Sequence, residues 1–425
     1  MKSFHWLFIV LVFFGSRCGF AQGFSFKDFT YVPNITSVQF HLRGLALTYP
    51  IIDLGSQNVL QFSFDDLDNQ IKNYRYTIIH CNADWQPSEL TDMEYIDGFT
   101  EARIEDFNYS FNTLVNYVHY ELFLPNRDMA WTKSGNYLLV VSDRDNNEEV
   151  VITRRFAVVD PIVKTTAMFV TANDVSKIRT HQEIDFIVNY EGLRVRNPQQ
   201  DVRATVVQNW RFDEAIQDLK PMFVRRNELI FDYQDKVVFP GGNEFRFFDL
   251  RSLQTTRNNV ALIERRENRY EVTLHSDRKR MNDPYIFFND INGQYTIENI
   301  PARDPRLRAD YADVLFTLES ALPRLDGSYY LFGAISDWAI KEEFKMVYNP
   351  AVSAYVIKRL LKQGFYNYAY AFVPNGTKKI QIEMDETEGN WFEATNDYTI
   401  FIYHRPFGSR YDHLVGVYTA ASNAR

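Results

Sequence analysis

Residues 135–160 read GNYLLVVSDRDNNEEVVITRRFAVVD: two apolar runs on either side of a polar turn at 143–148. Runs of this length, rich in Val, Ile, Leu and aromatics and joined by an Asp/Asn turn, make a β-hairpin. Pro161 offers no backbone donor to a further ladder, so the hairpin stops there and a first domain boundary is placed at 160. The same signature recurs upstream in NVLQFSFDDLDN (58–69), KNYRYTIIHC (72–81) and YVHYELFLPN (117–126). Strand-length segments separated by turn residues at this frequency are the pattern of an antiparallel sandwich.

Downstream the pattern continues in two further blocks. KIRTHQEIDFIVNYEG, DVRATVVQNWRFDEAI, ELIFDYQ, NEFRFFDLRSL and RYEVTLHSD fall before 305, and NDINGQYTIENIPARDPRLRAD closes that block with an Asn-Gly turn and a Pro-containing linker. GSYYLFGAISDW, KMVYNPAVSAYVIKRLL, GFYNYAYAFV and DYTIFIYHRPFGSRYDHLVGVY fill the last block. The expected class is all-β, with tandem immunoglobulin-like or early-set β-sandwich domains at 22–160, 161–305 and 306–425. In residues 364–373, Tyr366, Tyr368, Tyr370 and Phe372 form an aromatic stripe facing a core, with Phe365, Asn367, Ala369 and Ala371 opposite. Helical periodicity is scarce; Arg211 to Leu219 is expected as one short helix.

The chain has 425 residues, enough for two to four domains. Its 35 Phe and 26 Tyr suit pleated, half-buried strands better than helices. At the start, MKSFHWLFIVLVFFGSRCGFAQ combines Lys2, a short apolar run and a small-residue cleavage pattern ending at Ala21, so residues 1–21 are expected to be a secretory signal peptide. Removing Lys2 and Arg17 leaves 44 basic against 55 acidic residues, a net charge of −11. That balance leaves no basic footprint for nucleic acid. Cleavage also removes Cys18, and Cys81 alone forms no internal disulfide. No later apolar run approaches the length of a membrane-spanning helix.

HCNADW, residues 80–85, sets a histidine beside a cysteine, the residue types of nucleophilic chemistry. Adjacent strand residues project to opposite faces, so His80 and Cys81 are not placed as a catalytic dyad. Asp65, Asp66 and Asp68 in FDDLDN make the best calcium candidate, but they lack the glycine and distal glutamate of a calcium loop, and a polar turn between strands is the expected role. The charged stretches ERRENR and SDRKRMND are expected to be a solvated rim. There is no G-x-S-x-G elbow, zinc clip or phosphate loop. No catalytic, cofactor-binding or metal residues are therefore assigned, and no cofactor or small-molecule substrate is expected.

Two resemblances add to this. Gly333, Trp338, Gly364, Tyr366 and Tyr368 occupy places that match the strands of glycogen- and starch-binding early-set modules, which implies a carbohydrate-binding protein of the periplasm or cell surface as the alternative function. Across nearly the whole chain, FSFDDLDNQIKNYRYTIIHCNADWQPSEL, YIDGFTEARIEDFNYSFNT, LPNRDMAWTKSGNYLLVV, GGNEFRFFDLRSL, NDINGQYTI, LFGAISDW and DYTIFIYHRPFGSRYD run in order and resemble the type IX secretion system plug protein family. That resemblance implies a non-enzymatic periplasmic protein, peripherally associated with the outer membrane. Its partner would be the giant translocon barrel, whose periplasmic opening it seals as a monomer within a membrane-protein complex. Exposed tryptophans such as Trp85, Trp131 or Trp338 are candidate anchors for such a contact, with a core or corner role as the competing expectation. A third possibility, an outer-membrane barrel, conflicts with strands such as RNELIFDYQDK, which carry charges on both faces.

Overall fold

The computed structural model describes residues 23–300 and 304–422; the expected signal peptide lies outside them. The hairpin at 135–160 forms as Gly135–Asp143 paired antiparallel with Glu149–Val159, with a bulge between Val141 and Ser142. Asn147 and Glu148 take positive φ in its turn, the left-handed geometry that a tight hairpin requires. Tyr74–Cys81 pairs on the other side of Gly135–Asp143, and Phe29–Thr30, Ile51–Asp53 and Ala102–Arg103 complete that sheet. A second sheet, in the order Ile35–Leu42, Leu60–Asp66, Val118–Leu124 and Asp106–Tyr109, packs across it. Phe62, Phe64, Tyr74, Tyr120, Tyr137 and Phe156 fill the space between, each buried. Alternation with period two supplies these inward faces, which is why the aromatic-rich segments could be read as strands.

The remaining chain does not divide at 305. Val202–Gln208 pairs with Asp397–His404, so one sheet of the second sandwich takes strands from both sides of the expected boundary. Its other sheet holds Lys164–Thr171, His181–Asn189, Phe223–Arg225, Glu228–Phe231 and Val238–Pro240. The third sandwich likewise straddles 305: Arg246–Asp249 pairs with Gly364–Pro374, and Tyr270–Leu274 runs parallel to Tyr311–Glu319. It is inserted in the second, between Val238–Pro240 and Asp397–His404. The division into 161–305 and 306–425 is therefore corrected to an insertion. Strand patterns reveal that a segment pairs, not with which partner, so they do not register an insertion.

The two crossings of the insertion lie side by side. Trp391 donates its backbone N–H to Gly242 O at 2.8 Å, and a Cβ on Gly241 would sit 2.1 Å from Trp391 O, so only glycine fits there. In the third core, Tyr366, Tyr368, Tyr370 and Phe372 line up as the expected stripe, packed with Phe248, Phe316 and Tyr329. Arg211–Leu219, by contrast, is a strand paired with Val202–Gln208, not a helix. Asn209 and Trp210, both at positive φ, turn the chain back between Gln208 and Arg211, and this turn overrides the local helical pattern. No helix among the described residues is long and apolar enough to cross a membrane.

Candidate functional site

His80 and Cys81 end the strand Tyr74–Cys81 and point to opposite faces. His80 sits among Tyr95, Tyr137 and Tyr411, with ring centroids 5.6, 4.9 and 5.2 Å away. Burial lowers its pKa to about 4, so the ring is neutral: Nε2 donates to Ser134 O at 3.2 Å and Nδ1 accepts from Ser88 Oγ at 2.9 Å. Gly135 makes room for it, since a Cβ there would lie 2.3 Å from Nε2. Cys81 packs with Trp85, Leu138 and Val140, and burial pushes its thiol up to about 12. An inert thiol and a neutral, fully bonded imidazole on opposite faces make neither a nucleophile nor a base. The corner acts as a tether instead: Ala83 N donates to Asp412 Oδ2 at 2.9 Å and Asp412 N to Asn82 Oδ1 at 3.2 Å, joining the first sandwich to the second.

The three aspartates of FDDLDN do not converge. Asp68 is exposed, whereas Asp65 and Asp66 are fully buried in the strand Leu60–Asp66, not in a polar turn. Asp66 accepts from Asn34 Nδ2 and Tyr74 OH, both at 2.8 Å, and pairs with Lys72 at 3.0 Å. Asp65 faces the third sandwich. There Lys362 Nζ, Tyr311 OH and His119 Nδ1 each reach its carboxylate at 2.6 Å, with Lys362 itself 1% exposed. Burial opposes both charges and lowers the ammonium of Lys362, but for Asp65 the nearby Lys362 and His119 outweigh it and hold the carboxyl below its usual range. Among the described residues no group of three or more His, Cys, Asp or Glu is placed to hold a metal ion.

This cluster is the centre of a polar seam between the first and third sandwiches. Asp310 accepts from the backbone N–H groups of Leu114 and Val115 at 2.6 and 3.1 Å. Tyr117 OH bonds to the carbonyl oxygens of Arg306 and Ala309, both at 2.9 Å, and Lys362 lies over its ring at 4.1 Å. Arg306 pairs with buried Glu121 at 2.9 Å. At the far end, Arg154 reaches Asp337 at 2.7 Å, and Lys341 and Thr30 N complete that carboxylate's contacts. Burial pushes the Asp337 carboxyl up, but the cations prevail and leave it at about 2.

The seam between the first and second sandwiches is built differently. Ala157, Val159, Val207, Trp210, Phe401, Tyr403 and Leu414 form one apolar cluster across it. Trp210 stacks on Tyr49 at 4.8 Å and 9° between planes, and Trp85 meets Phe212 edge-on at 5.1 Å with Arg155 over its face. Tyr403 OH donates to Asn136 at 3.0 Å. All three sandwiches meet at a cleft of about 110 Å³ lined by Tyr49, Arg154, Trp210, Tyr295, Asp337 and Trp338. Trp338, the expected sugar platform, is half-buried there, with Phe245 and Phe332 against it at 5.7 and 5.5 Å. Both rings meet it edge to face, and Arg211 lies over it at 5.8 Å. Trp85 and Trp131 are buried as well, so none of the three candidate tryptophans is an exposed anchor.

Of the charged stretches, ERRENR is solvated but SDRKRMND is not only a rim. Asp277 accepts from the hydroxyls of Tyr368 and Tyr370 at 2.7 and 2.8 Å, and Arg280 pairs with buried Glu388 at 2.6 Å. The residues that lock the seams, Lys362, Tyr311, Asp310 and Asp337 above all, carried no local signal, because their partners lie hundreds of positions away. Asp65 gave no signal either: it alternates with Phe62 and Phe64, on the face of its strand turned away from the first core, where a charge is ordinarily solvated.

A family model described as "Type 9 secretion system plug protein 1st domain" matches residues 35–160. A crystal structure of a hypothetical protein from Parabacteroides merdae superposes with a TM-score of 0.89 at 35% sequence identity, covering 94% of this chain and 100% of that one. No curated protein matches the chain. With the family model on the first sandwich and a solved relative matching the arrangement of all three, the chain belongs to the type 9 secretion system plug protein family.

Proposed function

We propose that this chain is a non-enzymatic periplasmic plug that binds the periplasmic opening of the giant outer-membrane translocon barrel of the type IX secretion system and seals it. The observation that carries this is the interlocking of three sandwiches, by an insertion and by two extensive seams, in a chain of the plug family. A wide aqueous pore is blocked only by a stiff folded mass of comparable size. A compact chain of this length has a radius of gyration on the order of 20 Å, and buried ties at both seams of the first sandwich resist hinging. Neither the buried Cys81 nor the neutral His80 supports catalysis. Affinity purification of the tagged protein from gently solubilised envelopes should recover the barrel, and deletion of its gene should admit large antibiotics through the open pore. A protein that runs only as a free species, together with an unchanged permeability barrier, would defeat this proposal.

A further inference from the structure

One end of the second sandwich departs from the acidic character of the chain. The strand Phe223–Arg225 closes the edge of its sheet, pairing only with Glu228–Phe231, and all three of its residues are exposed. Phe223 stands 58% exposed, next to Met222 and Val224, which are also exposed. Register places Phe223, Ile230 and Ile187 side by side on the outer face, and Arg225, Glu228, Asn189 and Lys164 in the neighbouring row. Arg226 sits in the hairpin turn, and Tyr190 N bonds to Asn227 O at 3.0 Å, so the loop that follows brings Arg194 and Arg196 to the same end. Lys164, Arg194, Arg196, Arg225 and Arg226 are all exposed, and no salt bridge engages any of them among the described residues. Glu228 and Glu191 are the acids among them, while Asp185, Glu183 and Asp232 gather toward the other end of the sheet.

We propose that this hairpin end is a membrane-surface contact that inserts Met222, Phe223 and Val224 into the headgroup boundary of an anionic lipid leaflet while the surrounding cations meet lipid phosphates. Two observations favour lipid over a protein strand added to the open edge. Phe223 and Val224 project to opposite faces and are 58% and 41% exposed. A strand added alongside would pair the backbone and leave both faces open, whereas an interfacial medium surrounds the tip. Five free cations on a chain of net charge −9 are also complementary to anionic headgroups. Three short side chains give only marginal binding, so the apolar and basic parts must act together. This inference stands apart from the plug reading, since it concerns the bilayer and not the barrel.

The test is co-sedimentation of the purified mature chain with vesicles of phosphatidylethanolamine and phosphatidylglycerol, against vesicles of phosphatidylcholine alone. Binding is expected to the anionic vesicles only and to weaken with salt. Arg225→Glu with Arg226→Glu should cut the partition at least 20-fold, at roughly fivefold per cation lost. Phe223→Ser should weaken binding while leaving its salt dependence unchanged. All substituted positions are exposed, and an unchanged thermal transition verifies the fold. Absence of binding to anionic vesicles, or equal binding by the charge-reversed variant, would overturn the proposal. So would loss of barrel recovery on charge reversal without vesicle binding, which would make the surface a protein contact. The plug reading is judged separately, by recovery of the barrel with the unaltered chain.

Discussion

The two seams of the first sandwich hold by different physics. Against the second sandwich it presents rings and aliphatic side chains around Trp210 and Phe401. Against the third it presents charges, with Asp65 and Lys362 buried at 1% exposure. Apolar burial is non-directional and degrades gradually as contact area is lost. A buried ion pair is conditional: desolvating each ion costs several kcal/mol, repaid only while every partner is in place. The apolar seam therefore supplies adhesion, and the ionic seam supplies register.

Removing one partner from the ionic seam should have the largest effect. Lys362→Met leaves the Asp65 carboxylate buried against Tyr311 and His119 and should cost about 4 kcal/mol in denaturant unfolding. Adding Asp65→Asn should return most of that loss. If the double variant is as unstable as the single, the seam is not a conditional ion pair. Trp210→Ala should cost about 3 kcal/mol through the cavity left between Tyr49, Phe212 and Phe401. Here no second substitution on the partner side should rescue, and that contrast separates the two kinds of seam.

Acid should attack the seams in sequence. His80 faces Tyr411 of the second sandwich, and its folded pKa of about 4 lies below the usual 6.5. Its contribution is complete above about 6.5 and is lost as pH falls toward 4, because the unfolded chain binds the proton first. The amount is on the order of 3 kcal/mol. Asp337, held at about 2, contributes above its unfolded value near 3.8 and loses that contribution only as pH falls toward 2. Unfolding measured across this range should weaken in two stages. His80→Gln should flatten the upper stage in part, since burial lowers His404 and His413 too. An unchanged upper slope would show that His80 is not the sensor. The smallest effect is expected at the buried thiol: Cys81→Ala should cost about 1 kcal/mol by loss of one buried sulfur, with function intact. The native thiol should also resist alkylation until the chain unfolds.

Much of the architecture was legible because it depends on period-two alternation, which is local. The stripe of Tyr366, Tyr368, Tyr370 and Phe372 was read as a core face and is one. Opposite projection of His80 and Cys81 followed from the same geometry. Where the local pattern misled, a turn or a distant partner was responsible: Asn209 and Trp210 folded Arg211–Leu219 into a strand, and the burial of Asp65 made a supposed turn residue the anchor of a seam. Trp338 matched a sugar-binding pattern, but whether a ring is free depends on what packs against it, and Phe245 and Phe332 do.

By itself, then, the sequence determined the all-β class, the hairpin at 135–160 and the aromatic cores, because each rests on the order and spacing of nearby residues, while the family entered as a resemblance along nearly the whole chain. Only the tertiary structure decided that the third sandwich is inserted in the second. It alone paired Asp65 with Lys362 and Arg154 with Asp337, and it brought the cations at 164, 194, 196, 225 and 226 to one end of a sheet. Strand partners and buried ion pairs are chosen by long-range geometry, and periodicity along a chain carries no record of which distant segment completes them.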